Sequence, residues 1–139
     1  FATAGWGYTV ETATQAIRMV LSGVFDKHPK LQMILGHMGE ALPFLLWRGN
    51  QALSRGENAQ TRAFREIFEA HFHITTSGNF SNPALLCTVQ EMGMDRIMFS
   101  VDYPFVENQP AKDWAEQLNF CLEDRKKMLN GNVRKLLKL

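Results

Sequence analysis

His37, Glu40 and Asp102 are the residues of this sequence whose types and places point to chemistry. His37 comes directly after the apolar run Leu31-Gln-Met-Ile-Leu-Gly, and Glu40 follows three residues later. An imidazole titrates near neutrality and also binds metal ions. A carboxylate three residues on can reach back to a ring nitrogen and fix its tautomer. The same residues also read as a plain helix start, with Gly39 letting the chain turn and Glu40 favouring the helix dipole. Asp102 follows Phe99-Ser-Val. A carboxylate there cannot stay inside a sheet without a cation or hydrogen-bond donors, although it could simply cap the next turn. A third polar cluster, Ser77 and Asn79, sits behind another strand-like run. A histidine and an aspartate converging on one face is what a metal or acid–base site requires.

The elements that must place these residues follow from periodicity. Ala13, Ala16, Ile17, Val20, Leu21, Val24 and Phe25 fall on one face of a helix that Thr9 would cap and Lys27-His28-Pro29 would stop. His28 reads as a solvated helix-end residue. A buried strand over Leu31–Gly36 precedes a helix from about Glu40 to Arg55, and residues 56–61 form a polar loop. A short helix over Arg62–His71 leads to a second strand, His73–Thr76, rich in β-branched residues. Ser81 or Asn82, with Pro83, opens the next helix, and Gly93 closes it. The third strand is Arg96–Val101. A loop with Asn108 and Pro110 precedes helices over about Ala111–Leu122 and Asp124–Leu129. Asn130-Gly131-Asn132 then breaks the chain before a last helix to Leu139.

Strand–helix units in succession give parallel strands with right-handed crossovers, in an open sheet or a (β/α)8 barrel. The three polar clusters then share the carboxyl-end face, where such folds hold their chemistry. The fold class expected is α/β, with three parallel strands and interleaved helices in a single domain over residues 1–139.

Composition narrows the functions. The 139 residues are 45% hydrophobic and 21% charged, as in an ordinary globular domain. A net charge of +1 gives no electrostatic reason to expect nucleic acid or an anionic membrane as partner. No apolar run approaches the ~20 residues that span a bilayer. Cys87 and Cys121 lack metal-type spacing and read as free thiols of a reducing, cytoplasmic compartment, with a single disulfide as the alternative. The start at Phe1 carries no signal-peptide pattern, and the chain reads as a piece of something longer.

Several stretches together resemble one family. They are Gly-Val-Phe-Asp-Lys-His-Pro-Lys-Leu (23–31), Gly-His-Met-Gly-Glu (36–40) with Leu-Pro-Phe-Leu-Leu-Trp-Arg (42–48), Thr-Thr-Ser-Gly (75–78), and Arg-Ile-Met-Phe-Ser-Val-Asp-Tyr-Pro-Phe (96–105). The Gly-Asn-x-x-Lys-Leu-Leu ending (131–137) matches as well. The resemblance is to the metal-dependent amidohydrolase superfamily, in the branch of aminocarboxymuconate-semialdehyde and γ-resorcylate-type dihydroxybenzoate decarboxylases. It implies the C-terminal half of a distorted (β/α)8 barrel, with the N-terminal half absent and one zinc or manganese ion at the carboxyl face. By position Asp102 resembles the metal ligand at the end of the last strand. His37 resembles the histidine that orients or protonates substrate or activates water, and Glu40 resembles its partner. Arg48 resembles an arginine that grips a substrate carboxylate or hydroxyl, which its planar fork suits. Asn79 is placed with it as a substrate-binding residue.

The departures are large. A whole barrel needs eight strands and ~250 residues. The family's first-strand metal pair and fifth-strand histidine have no counterpart here. His71-Phe-His73 mimics such a pair but lies at the wrong end of its strand, as a structural or surface pair. Asp102 alone cannot hold a zinc ion that takes four ligands. The resemblance thus implies a metal-dependent non-oxidative decarboxylase of a hydroxylated aromatic or related unsaturated carboxylate, as a homo-oligomer, with the metal site incomplete in this chain. The rivals are a metal-dependent hydrolase of a lactone or amide, and an inert fragment whose exposed sheet edges drive self-association.

Overall fold

The computed structural model describes residues 1–54 and 62–139. The loop expected over 56–61, and Arg55 at the end of the helix before it, lie outside the described residues. In order the elements are α1 (Gly7–Leu21), α2 (Val24–Lys27), β1 (Met33–Leu35), α3 (His37–Glu40), α4 (Leu42–Leu53), α5 (Phe64–His71) and β2 (Phe72–Thr75). They continue with α6 (Asn82–Met92), β3 (Ile97–Met98), α7 (Asn108–Gln117), α8 (Leu122–Lys126) and α9 (Asn132–Leu137). The strands form one parallel sheet in the order β1-β2-β3. The α/β reading with three parallel strands therefore holds.

Register divides the sheet into two faces. Leu35 lies beside Ile74, and Ile74 beside Ile97. Neighbours in a parallel register point the same way, so these three face the helices and are buried. Phe25, Phe68 and Phe72 join that core, with Phe68 stacked on Phe72 at 4.5 Å and Phe25 edge-on to Phe72 at 5.5 Å. The opposite face carries Ile34, His73, Thr75 and Met98. There Ile34 is 49% exposed, so β1 is not buried on both sides as its apolar run suggested.

The outer edge of β3 is closed by the chain's own end. Phe99 N–H donates to Met128 O at 2.8 Å, and Asn132 Nδ2 donates to Ile97 O at 2.7 Å and Met94 O at 2.8 Å. The expected break at Asn130-Gly131-Asn132 does not occur. Residues Lys127–Gly131 form a wide π-helical turn that runs straight into α9, so that Asn132 is carried inward.

Other boundaries also move. The helix expected to run from Thr9 to Phe25 starts at Gly7 and is cut after Leu21, where Gly23 takes φ +74 and restarts the chain as α2. The helix expected to begin near Ala111 begins at Asn108, with Pro110 inside its first turn. Ser81 caps α6 as expected, its Oγ accepting from Ala84 N–H, and Gly93 ends it at φ +78. Cys87 and Cys121 are free thiols. No described helix is long and apolar enough to cross a membrane.

His71 and His73 are structural, as their place at the start of β2 suggested, but neither lies on the surface. His71 stacks on Phe25 at 4.4 Å, and its Nδ1 bonds Leu31 O at 2.8 Å. His73 Nε2 meets Arg96 Nη1 at 3.1 Å, while its Nδ1 is buried without a partner. Burial, with the charges of Arg96 and Lys135, pushes the His73 pKa down to about 4. The unfolded chain therefore binds this proton more tightly than the folded one. Stability is complete above the ordinary histidine value and declines as pH falls towards 4, by up to about 3 kcal/mol. Urea midpoints at pH 7 and pH 4.5 measure this decline, and His73→Gln should flatten it. An unchanged slope in the variant assigns the acid sensitivity to other groups.

Candidate active site

Behind β1 the backbone does something that the residue types do not advertise. His37, Met38, Gly39, Glu40 and Ala41 have φ of 48, 57, 77, 52 and 63°. This is one left-handed turn, and four of its five residues carry a Cβ. Each such residue costs roughly 1–2 kcal/mol in that region, so the turn persists only because its surroundings over-determine it. Met38 within it and Leu42 just after it are buried, and Gly39 N–H closes it onto Gly36 O at 2.7 Å. The plain helix-start reading of Glu40 fails. Glu40 precedes α4 and is 4% exposed, and it spends its carboxylate on His37 rather than on a helix terminus. Backbone strain of this kind gathers at functional sites.

The turn delivers a triad. His37 Nδ1 lies 2.6 Å from Glu40 Oε1, and His37 Nε2 lies 3.6 Å from Asp102 Oδ2. An ionised Glu40 accepts the Nδ1 proton and so leaves Nε2 as the working nitrogen, pointed at Asp102. The Glu40 carboxylate is buried, whereas His37 is 46% and Asp102 32% exposed. The pair that could meet a ligand faces solvent, and the group that orients it does not. Asp102 also has positive φ, +79°. Its carbonyl accepts from Phe105 N–H and Val106 N–H at 2.9 and 3.2 Å. Gly78, at φ +63, lies beside Asp102, and a Cβ there would sit 3.2 Å from Val106 Cγ2 and 3.4 Å from Asp102 Oδ2.

Hydroxyls bind the strand ends together beyond the ladder. Thr76 Oγ1 donates to Ser100 O at 2.6 Å and accepts from Ser100 N–H at 2.9 Å. On the opposite face, Ser77 Oγ lies 2.8 Å from Thr75 Oγ1 and 2.5 Å from Ser100 Oγ. Residue typing singled out Ser77 but not Thr75, Thr76 or Ser100. The available signal was the two-residue spacing of Ser100 and Asp102 in the run that follows β3.

A cavity of about 740 Å³ opens beside the triad, lined by His37, Glu40, Asn79, Phe44, Pro83 and Cys87 among others. The structure thus brings His37, Glu40 and Asp102 together and sets Asn79 in the adjoining wall. It does not bring Arg48 to them. Arg48 is exposed on α4 and outside the cavity lining, one helical turn beyond Phe44.

The donor set does not hold a metal ion by itself. Among the described residues no group of three histidine, cysteine, aspartate or glutamate side chains is arranged to hold a metal ion. Glu40 is committed to His37 Nδ1, which leaves at most His37 Nε2 and the Asp102 carboxylate, fewer donors than a divalent ion takes. What these residues can do unaided is hold and move a proton between Nε2 and Oδ2, and pair with an oxygen placed between them.

The chain matches the amidohydrolase family over residues 1–139. It is 42% identical over 138 residues to the γ-resorcylate decarboxylase of Rhizobium sp. (strain MTP-10005), covering 96% of this chain and 42% of that protein. A crystal structure of 2,6-dihydroxybenzoate decarboxylase complexed with 2,6-dihydroxybenzoate superposes with a TM-score of 0.93 at 41% identity. That match covers 98% of this chain and 43% of the other. The dihydroxybenzoic acid decarboxylase of Polaromonas sp. JS666, with bound manganese and the inhibitor 2-nitroresorcinol, gives 0.91 at 41% identity and covers 99% and 42%. The chain therefore spans about two-fifths of the length of the relatives it matches.

Proposed function

This chain belongs to the amidohydrolase family, and on that premise we propose that it is part of a metal-dependent, non-oxidative decarboxylase of a hydroxylated aromatic carboxylate of the 2,6-dihydroxybenzoate class. The observation that carries the reading is the strained His37–Glu40 turn, which aims Nε2 at Asp102 beside an open cavity. Relatives that match nearly this whole chain carry such carboxylates in their names and bound ligands, which supports the substrate class.

Loss of carbon dioxide from an aromatic acid requires a proton at the ring carbon that bears the carboxylate. The carbon–carbon bond then breaks and returns its electron pair to the ring. Asp102 is the proton carrier, with His37 Nε2 as the neighbour that shares the proton and resupplies it from solvent. Glu40 keeps the imidazole in one tautomer, with Nε2 turned to Asp102. The apolar wall at Phe44 and Pro83 packs the ring. Asn79 offers a neutral contact in the cavity wall, and Arg48, exposed one turn beyond Phe44, is proposed to meet a substrate oxygen only if the side chain swings over the cavity. Asp102 would also be one ligand of a divalent ion, manganese to be tried first and zinc second, and that ion would supply Lewis acidity towards the substrate's oxygens.

A hydrolytic reading draws on one feature. His37 is open to solvent, so the same pair could activate water against a lactone or amide. Chelator treatment of the protein that carries this chain, followed by manganese, tests the metal-dependent decarboxylase. Consumption of 2,6-dihydroxybenzoate should stop and then return. Undiminished turnover in chelator contradicts the metal requirement, and no turnover with manganese contradicts the substrate class.

A further inference from the structure

We infer that the basic cavity at the amino ends of β2 and β3, walled by Arg96, Lys127 and Lys135, binds a small oxyanion, a phosphate or a carboxylate. It lies at the far end of the sheet from the His37–Asp102 pair, and the inference stands independently of the decarboxylase reading.

Arg96 is a partly buried guanidinium whose side-chain partners among the described residues are all neutral. Its Nη1 donates to Gln32 Oε1 at 3.2 Å and to His73 Nε2 at 3.1 Å. A guanidinium has no lone pair to offer, so His73 Nε2 is the accepting nitrogen of a neutral ring. Burial first, then the charges of Arg96 and Lys135, hold that ring neutral by pushing its pKa down to about 4. Both Nη1 hydrogens are thereby used. The Nε–Nη2 edge of the fork, the edge that grips two oxygens at once, has no partner among the described residues. Nor does any described carboxylate lie within ion-pair distance of Arg96 or Lys135. A partly buried charge without a counter-charge is costly. An anion in the cavity is the counter-charge that Arg96 lacks.

The space and the local charge agree with this. The cavity measures about 670 Å³, and a Cβ on Gly93, in its wall, would meet nothing within 4 Å. That is room for far more than one water molecule. Three cations and one carboxylate line it among the described residues, on a chain whose net charge is only +1. The carboxylate, Asp95, is already taken. Lys127 Nζ lies 3.1 Å from Asp95 Oδ1 and 3.6 Å from Glu123 Oε1. Lys127 is therefore matched, while Arg96 and Lys135 are not. Two unmatched cations on a concave surface, one of them a planar fork, suit a phosphate or a carboxylate. His73 has its lone pair occupied by Arg96 and cannot act as a base, so this is a binding site and not a second catalytic one.

Calorimetric titration of the full protein with sodium phosphate, and separately with sodium acetate, at constant ionic strength measures the binding. Saturable binding is expected, with a rise in melting temperature, because only the folded chain offers the site. Lys135→Glu should weaken that binding roughly tenfold or more. Lys135 is exposed on α9, so this change leaves the fold intact. Lys112→Glu alters the net charge by the same amount outside the cavity lining and should leave the affinity within about twofold. Phosphate binding tighter than acetate identifies a phosphate-type ligand, and acetate binding as well as phosphate identifies a carboxylate. Either result supports the site. No saturable binding of either anion overturns the inference and means that the Arg96 charge is met within the protein. Equal binding by wild type and Lys135→Glu overturns it too, because the anion then sits elsewhere.

Discussion

Asp102→Asn in the protein that carries this chain should lower kcat by about a thousandfold while leaving the melting temperature within a few degrees, the usual range for losing a proton-transfer group being about 10²–10⁴. The substitution is informative because it changes little else. Asp102 sits at φ +79, a conformation that asparagine and aspartate both tolerate and most other residues do not. Its backbone carbonyl, which accepts from Phe105 and Val106, is untouched. What disappears is the negative charge 3.6 Å from His37 Nε2 and the oxygen that can carry a proton. Manganese affinity should fall in the same variant, since an amide is a poorer ligand than a carboxylate for a hard cation. Rate and metal titration, read with a melting curve, separate these effects. A variant that keeps more than a tenth of wild-type kcat removes Asp102 from the chemistry.

Gly39→Ala should destabilise the fold by about 3 kcal/mol, the sum of a left-handed backbone penalty and an overpacked contact. Gly39 has φ +77, and a Cβ there would lie 2.8 Å from Pro43 Cδ, 2.9 Å from Pro43 Cγ and 3.1 Å from Ile74 Cδ1. Neither neighbour yields easily. Pro43 is a ring in the first turn of α4, and Ile74 is fully buried in the central strand. The variant tests more than one glycine, because pushing the turn off Pro43 also pulls Glu40 from His37. Gly23→Ala is the internal control. Gly23 has nearly the same backbone conformation, φ +74 and ψ 12 against φ +77 and ψ 23, with nothing within 4 Å of a Cβ, so it pays the backbone penalty alone, about 1 kcal/mol. Urea unfolding of both variants measures the difference. Equal losses contradict the tight packing of the turn.

The residues explain why some of this was readable in advance. Apolar runs ending at Gly36 and before Asp102 mark where β1 and β3 lie, although β3 spans only Ile97–Met98 of the expected Arg96–Val101 and β1 keeps Ile34 exposed. Ser81 and Gly93 mark α6 because caps depend on local chemistry that neighbours rarely override. His37, Glu40 and Asp102 stood out by type and place, and the structure sets them within contact of one another. The left-handed turn was not readable, since only Gly39 among its five residues favours positive φ. Tertiary packing imposes it on the other four. Asn130-Gly131-Asn132 looked like a break for the opposite reason. Its local preference for turns loses to the two carbonyls that Asn132 satisfies at the edge of β3. The short hydroxyl contacts stayed hidden because a serine in a strand gives no sign of its partner across the ladder.

The central claim is that a proton replaces a carboxylate on an aromatic carbon. Turnover of 2,6-dihydroxybenzoate in deuterium oxide, followed by mass spectrometry and NMR of the product, tests it most directly. The account predicts resorcinol carrying one deuterium at the carbon that lost carbon dioxide, with no oxygen from solvent water incorporated. Product that contains a solvent oxygen and retains the carboxyl carbon would contradict it and place this His37–Asp102 pair in a hydrolase.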